Sequence, residues 1–319
     1  MRFLATDEQE AFAEAVDELV QDHGGAAVAQ QWASGDHTAG LALWHSFGEL
    51  GLAGLRVAEA EGGLGGSAAD LAIVFERLGY HAAPGPYLES VALLPRLVDD
   101  EARSALIGDG AIATASVEGL APAALDPDIA THRFAIGDGW IAPAVEFERI
   151  ESLAPVRRLG RLVPGARTDL DVDQLAAALD EAALASAAML LGAGERLLAE
   201  AVGYAKIREQ FGKPIGEYQS LKHQLADVRV ALSFARPLIW SAATTFDSST
   251  RARDVSAAKI AAGDAARLAA RTSLQVHGAI GYTAEHQLGL WVTLVPALAS
   301  VWGTAAYHRA RVARSILSA

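Results

Sequence analysis

The chain of 319 residues contains no cysteine, which excludes disulfides, thiolate metal sites and a cysteine nucleophile and matches a reducing, cytoplasmic setting. Basic residues are scarce: 26 Lys and Arg against 39 Asp and Glu give a net charge of −13 and a pI near 5.1. No nucleic-acid partner is expected, because phosphate backbones are held by surplus cations, and an anionic ligand needs a local basic pocket. The first residues carry Asp7, Glu8 and Glu10 where a signal peptide has an apolar core, so none is expected. One run, 288–307, has no charged residue and is long enough to span a bilayer, but it holds Gly289, Pro296 and Gly303. With no flanking basic cluster or aromatic belt elsewhere, it reads as helix buried in protein, and no membrane is expected.

What the chain does have is apolar side chains, 51% of the total, enough for a large core spread over two or three domains. Thr6 opens a first helix with capping chemistry, and Phe12, Val16, Leu19 and Val20 form its apolar stripe. A second helix covers about 39–50. The Gly-rich run from Gly51 closes at Ser67, an N-cap for a helix over 68–80. Two prolines, Pro84 and Pro86, then precede a further helix to about Val98. Residues 1–106 thus read as a helical domain. Over 107–171 the long periodicity gives way to short apolar runs between Gly, Pro and Asp, the mark of a small β-rich domain with a hairpin turn at Gly137-Asp-Gly-Trp. Residues 172–319 carry long Ala-rich helices at about 173–208, 218–246 and 254–277 with two more beyond, which pack most economically as an antiparallel bundle. The fold class is therefore mainly α with a small β domain, α+β.

The stretch Tyr204-AKIREQFGKPIGEYQSLKHQLADV ends one helix and starts another across a turn punctuated by Gly212, Pro214 and Gly216. Arg208, Gln210 and Lys213 sit at a helix end beside a fresh N-terminus, where cations and free amides can meet a phosphate. On spacing alone an ordinary helical hairpin with a solvated turn is the plainer account. Gly62-Gly63 and Gly65-Gly66 lack the strand, helix and ribose-binding acid of a dinucleotide fold and read as a turn. His277 and His286 flank a glycine motif without metal-ligand company, so no metal is expected, and His223 reads as a helix-face residue.

Three motifs together resemble the acyl-CoA dehydrogenase family over most of the chain. Leu43-WHSFGELGLAGLRVAEAEGGLGGSAADLAIVFERLGYHAAPGP is similar to the family's N-terminal helical domain, the Tyr204 stretch to its R-x-Q-F-G-x-P-I signature, and Gln275-VHGAIGYTAEH to its Q-x-x-G-G-x-G-x-x-x-E signature. The resemblance implies a helical domain, a β-domain and a C-terminal four-helix bundle. It also implies α,β-dehydrogenation of an acyl-CoA, in which a Glu takes the α-proton and the hydride passes to FAD. Carried over by position, Arg208, Gln210 and Phe211 touch the flavin diphosphate and adenosine, and Gln219, Gln275 and Gly278 complete that site, reaching across to a flavin in a neighbouring subunit.

The chain departs from the pattern in ways that point one way. Val301-Trp302-Gly303-Thr304 matches the family's Y-E-G-T, so Trp302 stands in the position of the catalytic Glu. The alternative Glu of an L-D-L-E-R segment falls on Ala182, with Glu181 one residue, about 100°, away on the helix. The β-domain segments that hold flavin and acyl-CoA within one chain are reduced to Ala113-TASVEGLAP and Gly139-WIAPAV, and Ala279 replaces one glycine of the pair. A chain that keeps the outward half of the FAD site and lacks both base and inward half resembles the short subunit of the α2β2 heterotetrameric acyl-CoA dehydrogenases of actinobacterial steroid side-chain degradation. The expected partner is a full-length homologue that supplies the Glu and binds most of the acyl-CoA. Two other readings stand beside it: a self-sufficient homo-oligomer using Glu181 or Glu285, and a flavin-free helical scaffold.

Overall fold

A computed structural model describes residues 4–108, 110–283 and 286–317. Helix α1 (Asp7–Asp22) begins with a reciprocal capping box in which the Thr6 hydroxyl accepts from the Gln9 amide and the Gln9 side chain accepts from Thr6 N–H at 3.0 Å. Gln9 also donates to Asp70 at 2.8 Å, and Asp70 with Ser67 makes a second capping box on α4 (Ala68–His81). The two caps thus lock the starts of α1 and α4 together. Between them lie α2 (Ala26–Ser34) and α3 (Thr38–Glu49). The sequence reading missed α2, which is only nine residues long and is entered through Gly24 and Gly25 and left through Gly35, all at positive φ. Where a helix to Val98 was expected, the chain makes a buried π-helical segment (Leu88–Leu93) and a 3₁₀ turn (Leu94–Arg96), then α5 (Asp100–Gly108).

The β layer follows as β1 (Ala113–Val117), β2 (Ala124–Leu125), β3 (His132–Gly137), β4 (Trp140–Ile150), β5 (Leu159–Pro164) and β6 (Thr168–Asp169). Strand order is β1-β3-β4-β5-β2, with β6 on β4 and β1 parallel to β3. The β3–β4 turn is the anticipated one: Gly137 pairs with Trp140 across Asp138 and Gly139, the latter at φ 72.

The bundle comprises α6 (Val172–Ile207), α7 (Gln219–Thr244), α8 (Arg251–His277), α9 (Leu288–Ser300) and α10 (Ala305–Leu317). Helix α6 has an apolar window long enough to cross a membrane, but 83% of that window is buried inside the protein. The uncharged run 288–307 is likewise not one rod, since α9 and α10 meet at a bend of 41°. Helices α4 and α6 touch backbone to backbone. A Cβ on Gly192 would stand 1.8 Å from the Glu76 carbonyl, and one on Gly79 would stand 2.1 Å from that of Met189.

A second tie joins the N-terminal layer to α6. Glu181 is 1% exposed, and its two oxygens meet Arg56 Nε at 3.0 Å and Arg96 Nε at 2.5 Å. Arg56 in turn donates to the Gly66 carbonyl, fastening the Gly-rich run. Removing the carboxylate strands two guanidinium groups, one of them nearly buried, so Glu181→Ala is expected to cost about 3 kcal/mol of stability in a denaturant melt.

Candidate half-site at the bundle end

The six residues singled out for a flavin lie on elements that converge. Tyr204 of α6 stacks on His277 of α8 with ring centroids 4.5 Å apart. The His277 Nδ1–H donates to Ser273 O at 2.8 Å, and burial holds the imidazole below its ordinary pKa, so the stack is neutral. Below it Ala201, Ala205 and Val276 form a small core with Ile215 and Leu221, drawing the end of α6, the connecting turn and the start of α7 to the end of α8.

On that platform β7 (Glu209–Gln210) pairs with β8 (Lys213–Pro214) around a two-residue turn, Phe211-Gly212, with φ of 54 and 81. Both values are what a tight hairpin requires, and glycine adopts them freely whereas phenylalanine does so at a cost of about 1 kcal/mol. Phe211 is 93% exposed. The turn is held from below: Tyr218 Oη donates to the Gln210 carbonyl at 3.0 Å, and the Lys213 ammonium lies 4.4 Å over the Tyr218 ring. Arg208 is exposed and its guanidinium engages no side chain or carbonyl of the described residues. Helix α7 starts at Gln219 with no side-chain cap, leaving its first amides open. Gln219 and Gln275 are exposed, and Gly278 takes φ 60, with open space where a Cβ would sit. A free guanidinium, an uncapped helix N-terminus and three carboxamides at one surface are the donor set that suits an anionic diphosphate.

The comparisons place the whole chain in one family. Residues 172–317 match the model of the acyl-CoA dehydrogenase C-terminal domain and residues 6–94 that of the N-terminal domain. The acyl-CoA dehydrogenase IpdE2 of Mycobacterium tuberculosis is 34% identical over 298 residues, which span 89% of this chain and 90% of that protein. The chain belongs to the acyl-CoA dehydrogenase family. Among solved structures, the ChsE4–ChsE5 complex from Mycobacterium tuberculosis superposes with a TM-score of 0.82 at 24% identity, covering 100% of both chains. A Tcur3481–Tcur3483 steroid ACAD variant gives 0.85 at 22% identity with 98% of each chain covered. The family is one of oxidoreductases whose cofactor is FAD.

The two residues that the sequence resemblance matches to the family's base are both buried. Ala182 is 0% exposed in the core of α6. Trp302 is 2% exposed at φ 57, its backbone N–H donating to the Leu120 carbonyl at 3.0 Å in the turn after β1, while its indole N–H is buried without a partner among the described residues. His308 Nε2–H donates to the Trp302 carbonyl at 3.0 Å, and Gly303 admits no side chain because a Cβ would stand 2.5 Å from His308. Five cavities among the described residues are lined by neither Trp302 nor Ala182. Glu181 is engaged by Arg56 and Arg96 as described, and Glu285 lies outside the described residues. In the β layer Trp140 lies against Gly137 under the Arg167 guanidinium, 4.0 Å from its ring. Among the described residues no group of three or more His, Cys, Asp or Glu forms a metal site.

Sequence reasoning passed over the buried Lys259 and Glu89. Lys259 donates to Ser186 and, at 2.7 Å, to the Leu298 carbonyl near the end of α9, and burial pushes its pKa well down. That carbonyl needs an outside donor because Trp302 N–H is spent on Leu120. Glu89, in the π-helical segment, has an oxygen with no partner, and burial raises its pKa from 4.5 to about 7. It faces a cavity of only about 20 Å³ shared with Tyr87 and Arg157, space for a water but not for an acyl group. Single charged residues have no period, so only the fold reveals their burial.

Because the folded pKa of Glu89 is the raised one, its contribution is fully present below pH 4.5 and is lost as pH rises through about 7. Glu89→Gln removes that loss. Melting curves are expected to show the variant gaining on the parent by about 3 kcal/mol between pH 4.5 and pH 8, with the gain accruing between pH 4.5 and about 7 and levelling off above it.

Proposed function

We propose that the chain is a subunit of an FAD-dependent acyl-CoA dehydrogenase and lends the outward half of the flavin site to a partner chain that supplies the catalytic Glu. The observation that carries this reading is the pairing of a buried Trp302 in the base position with an exposed, fully assembled donor surface at Arg208, Gln210, Phe211, Gln219, Gln275 and Gly278. An indole has no proton to abstract or return at this pH and fills volume that an acyl chain would need.

In this reading Arg208 pairs with the flavin diphosphate, the open α7 N-terminus and the Gln219 side chain add hydrogen bonds, and Gln210, Phe211, Gln275 and Gly278 frame the adenosine side. FAD, when bound, accepts the hydride from the β-carbon, and the α-proton goes to the partner's carboxylate. The acyl-CoA is held mainly by the partner, a full-length homologue in an α2β2 assembly. The similarity in fold to a steroid ACAD supports a steroid-derived CoA thioester as the substrate class. The cysteine-free composition suits a cytoplasmic location.

Two measurements test the assignment. The chain purified alone is expected to be colourless and inactive in acyl-CoA-dependent dye reduction, and co-expression with a full-length homologue is expected to restore flavin absorbance and turnover together. Full flavin loading and turnover by the isolated chain would sink it. In the complex, Arg208→Ala is expected to weaken FAD retention by about tenfold to a hundredfold, the worth of one charge-assisted pair, while leaving the assembly intact by size-exclusion chromatography.

A further inference from the structure

Away from the half-site, one buried cation has no partner. Arg157 is 7% exposed, yet its guanidinium makes no side-chain hydrogen bond and no close ion pair among the described residues. Glu89 and Asp126 act on it only at longer range, and burial works against its charge. Folded proteins rarely retain an unpaired buried guanidinium, because its desolvation is uncompensated. Something must approach it.

Arg157 lines a pocket of about 170 Å³ in the β layer, bounded by the Pro127-Asp128 turn, by Phe147 and Arg149 of β4, and by the Ser152 loop. The neighbouring Arg158 shares the same wall. Its Nε meets Asp126 at 3.1 Å and its Nη1 meets Asp128 at 3.0 Å, but its Nη2 is buried without a partner. Arg149 also leans on Asp128, at 3.1 Å. Three lining guanidinium groups therefore share one lining carboxylate, in a chain whose net charge is −13.

A water between Arg157 and Glu89 is the simplest rival. The cavity of about 20 Å³ on that side takes about one water. One water satisfies one or two of the five donors a guanidinium carries, and it leaves Arg158 Nη2 untouched. The larger pocket is lined by Arg157 together with Arg149 and Arg158, and an occupant with several acceptor oxygens would meet the Arg157 guanidinium first, since Arg158 Nη2 is enclosed beside the unpartnered oxygens of Asp126 and Asp128.

We propose that this pocket is a binding site for a phosphoryl anion, held by the Arg157 guanidinium with Arg158 and Arg149 on the same wall; the Ser152 hydroxyl, which also lines it, is spent on the Ala154 carbonyl. Guanidinium forks match phosphate geometry two bonds at a time, which a lone ammonium or amide cannot do. The occupant is a free phosphate or diphosphate, or the same group carried by a coenzyme. The site is distinct from Arg208 and does not depend on the flavin assignment.

Titrate the full-length chain with inorganic pyrophosphate and, separately, with free coenzyme A, at constant ionic strength, by calorimetry and by thermal shift. Saturable binding is expected for at least one probe. Equal affinities identify the free anion, and markedly tighter coenzyme A identifies the carried group. Arg157→Met is expected to weaken binding at least tenfold. Ser152→Glu, at a half-exposed loop position, is expected to do the same by placing a carboxylate at the mouth, and it carries the test if Arg157→Met does not fold. Arg309→Ala, which removes an exposed cation of α10 outside the pocket lining, is expected to leave this binding within twofold. The proposal is overturned if neither probe binds, if neither variant weakens binding, or if Arg309→Ala is the variant that abolishes it.

Discussion

The contact on which the molecule turns is the bare crossing of α4 over α6. Gly79 and Gly192 let two helices meet at backbone distance, where even a methyl group would overlap a carbonyl of the opposing helix. A helix of 36 residues buried along most of its length needs a neighbour that cannot slide, and glycine against backbone supplies one at a cost in propensity of about 1 kcal/mol per residue. The Glu181 clamp works along the same seam. It fixes the azimuth of α6 relative to the Gly-rich run, so that the far end of α6, with Tyr204 and Arg208, is aimed from a rigid base.

From that base the chemistry divides between two ends. At one end of α6 the donors face outward, and the stack of Tyr204 on His277 and the latch of Tyr218 under the hairpin keep them in place without a ligand. At the middle, where family members house a carboxylate and an acyl chain, this chain is packed solid: Ala182 in α6, Trp302 beyond α9, and the turn after β1 hydrogen-bonded across to Trp302. Lys259 closes the remaining carbonyl. One end of α6 carries exposed polar groups, and the middle is closed by packing.

Much of this was legible in one dimension. The two capping boxes at Thr6 and Ser67, the Asp138-Gly139 turn and the long Ala-rich helices follow from local rules that operate within a few residues, and they appear where those rules put them. The exposed hairpin and the helix ends beside it were legible because their residues fall in two short motifs. What stayed hidden depends on distant neighbours. Helix α2 is stabilised by the Trp32 indole donating to Asp126 at 3.3 Å, ninety-four positions away. Nothing near Glu181 in the sequence announces Arg56 or Arg96, and nothing near Arg157 announces that it is unpaired.

The left-handed backbone at Trp302 bears on redesign. A single codon change would return a glutamate to this place in the motif, but not to the same environment. The new carboxyl would arrive with its main chain already committed to Leu120 and His308, in a spot with no hollow around it and Gly303 unable to yield. Such a group would be held as the neutral acid by desolvation. Recovering a base here would therefore require re-cutting the turn after β1 and the bend between α9 and α10 together. The obstacle to a carboxylate at this place lies in the backbone as much as in the side chain.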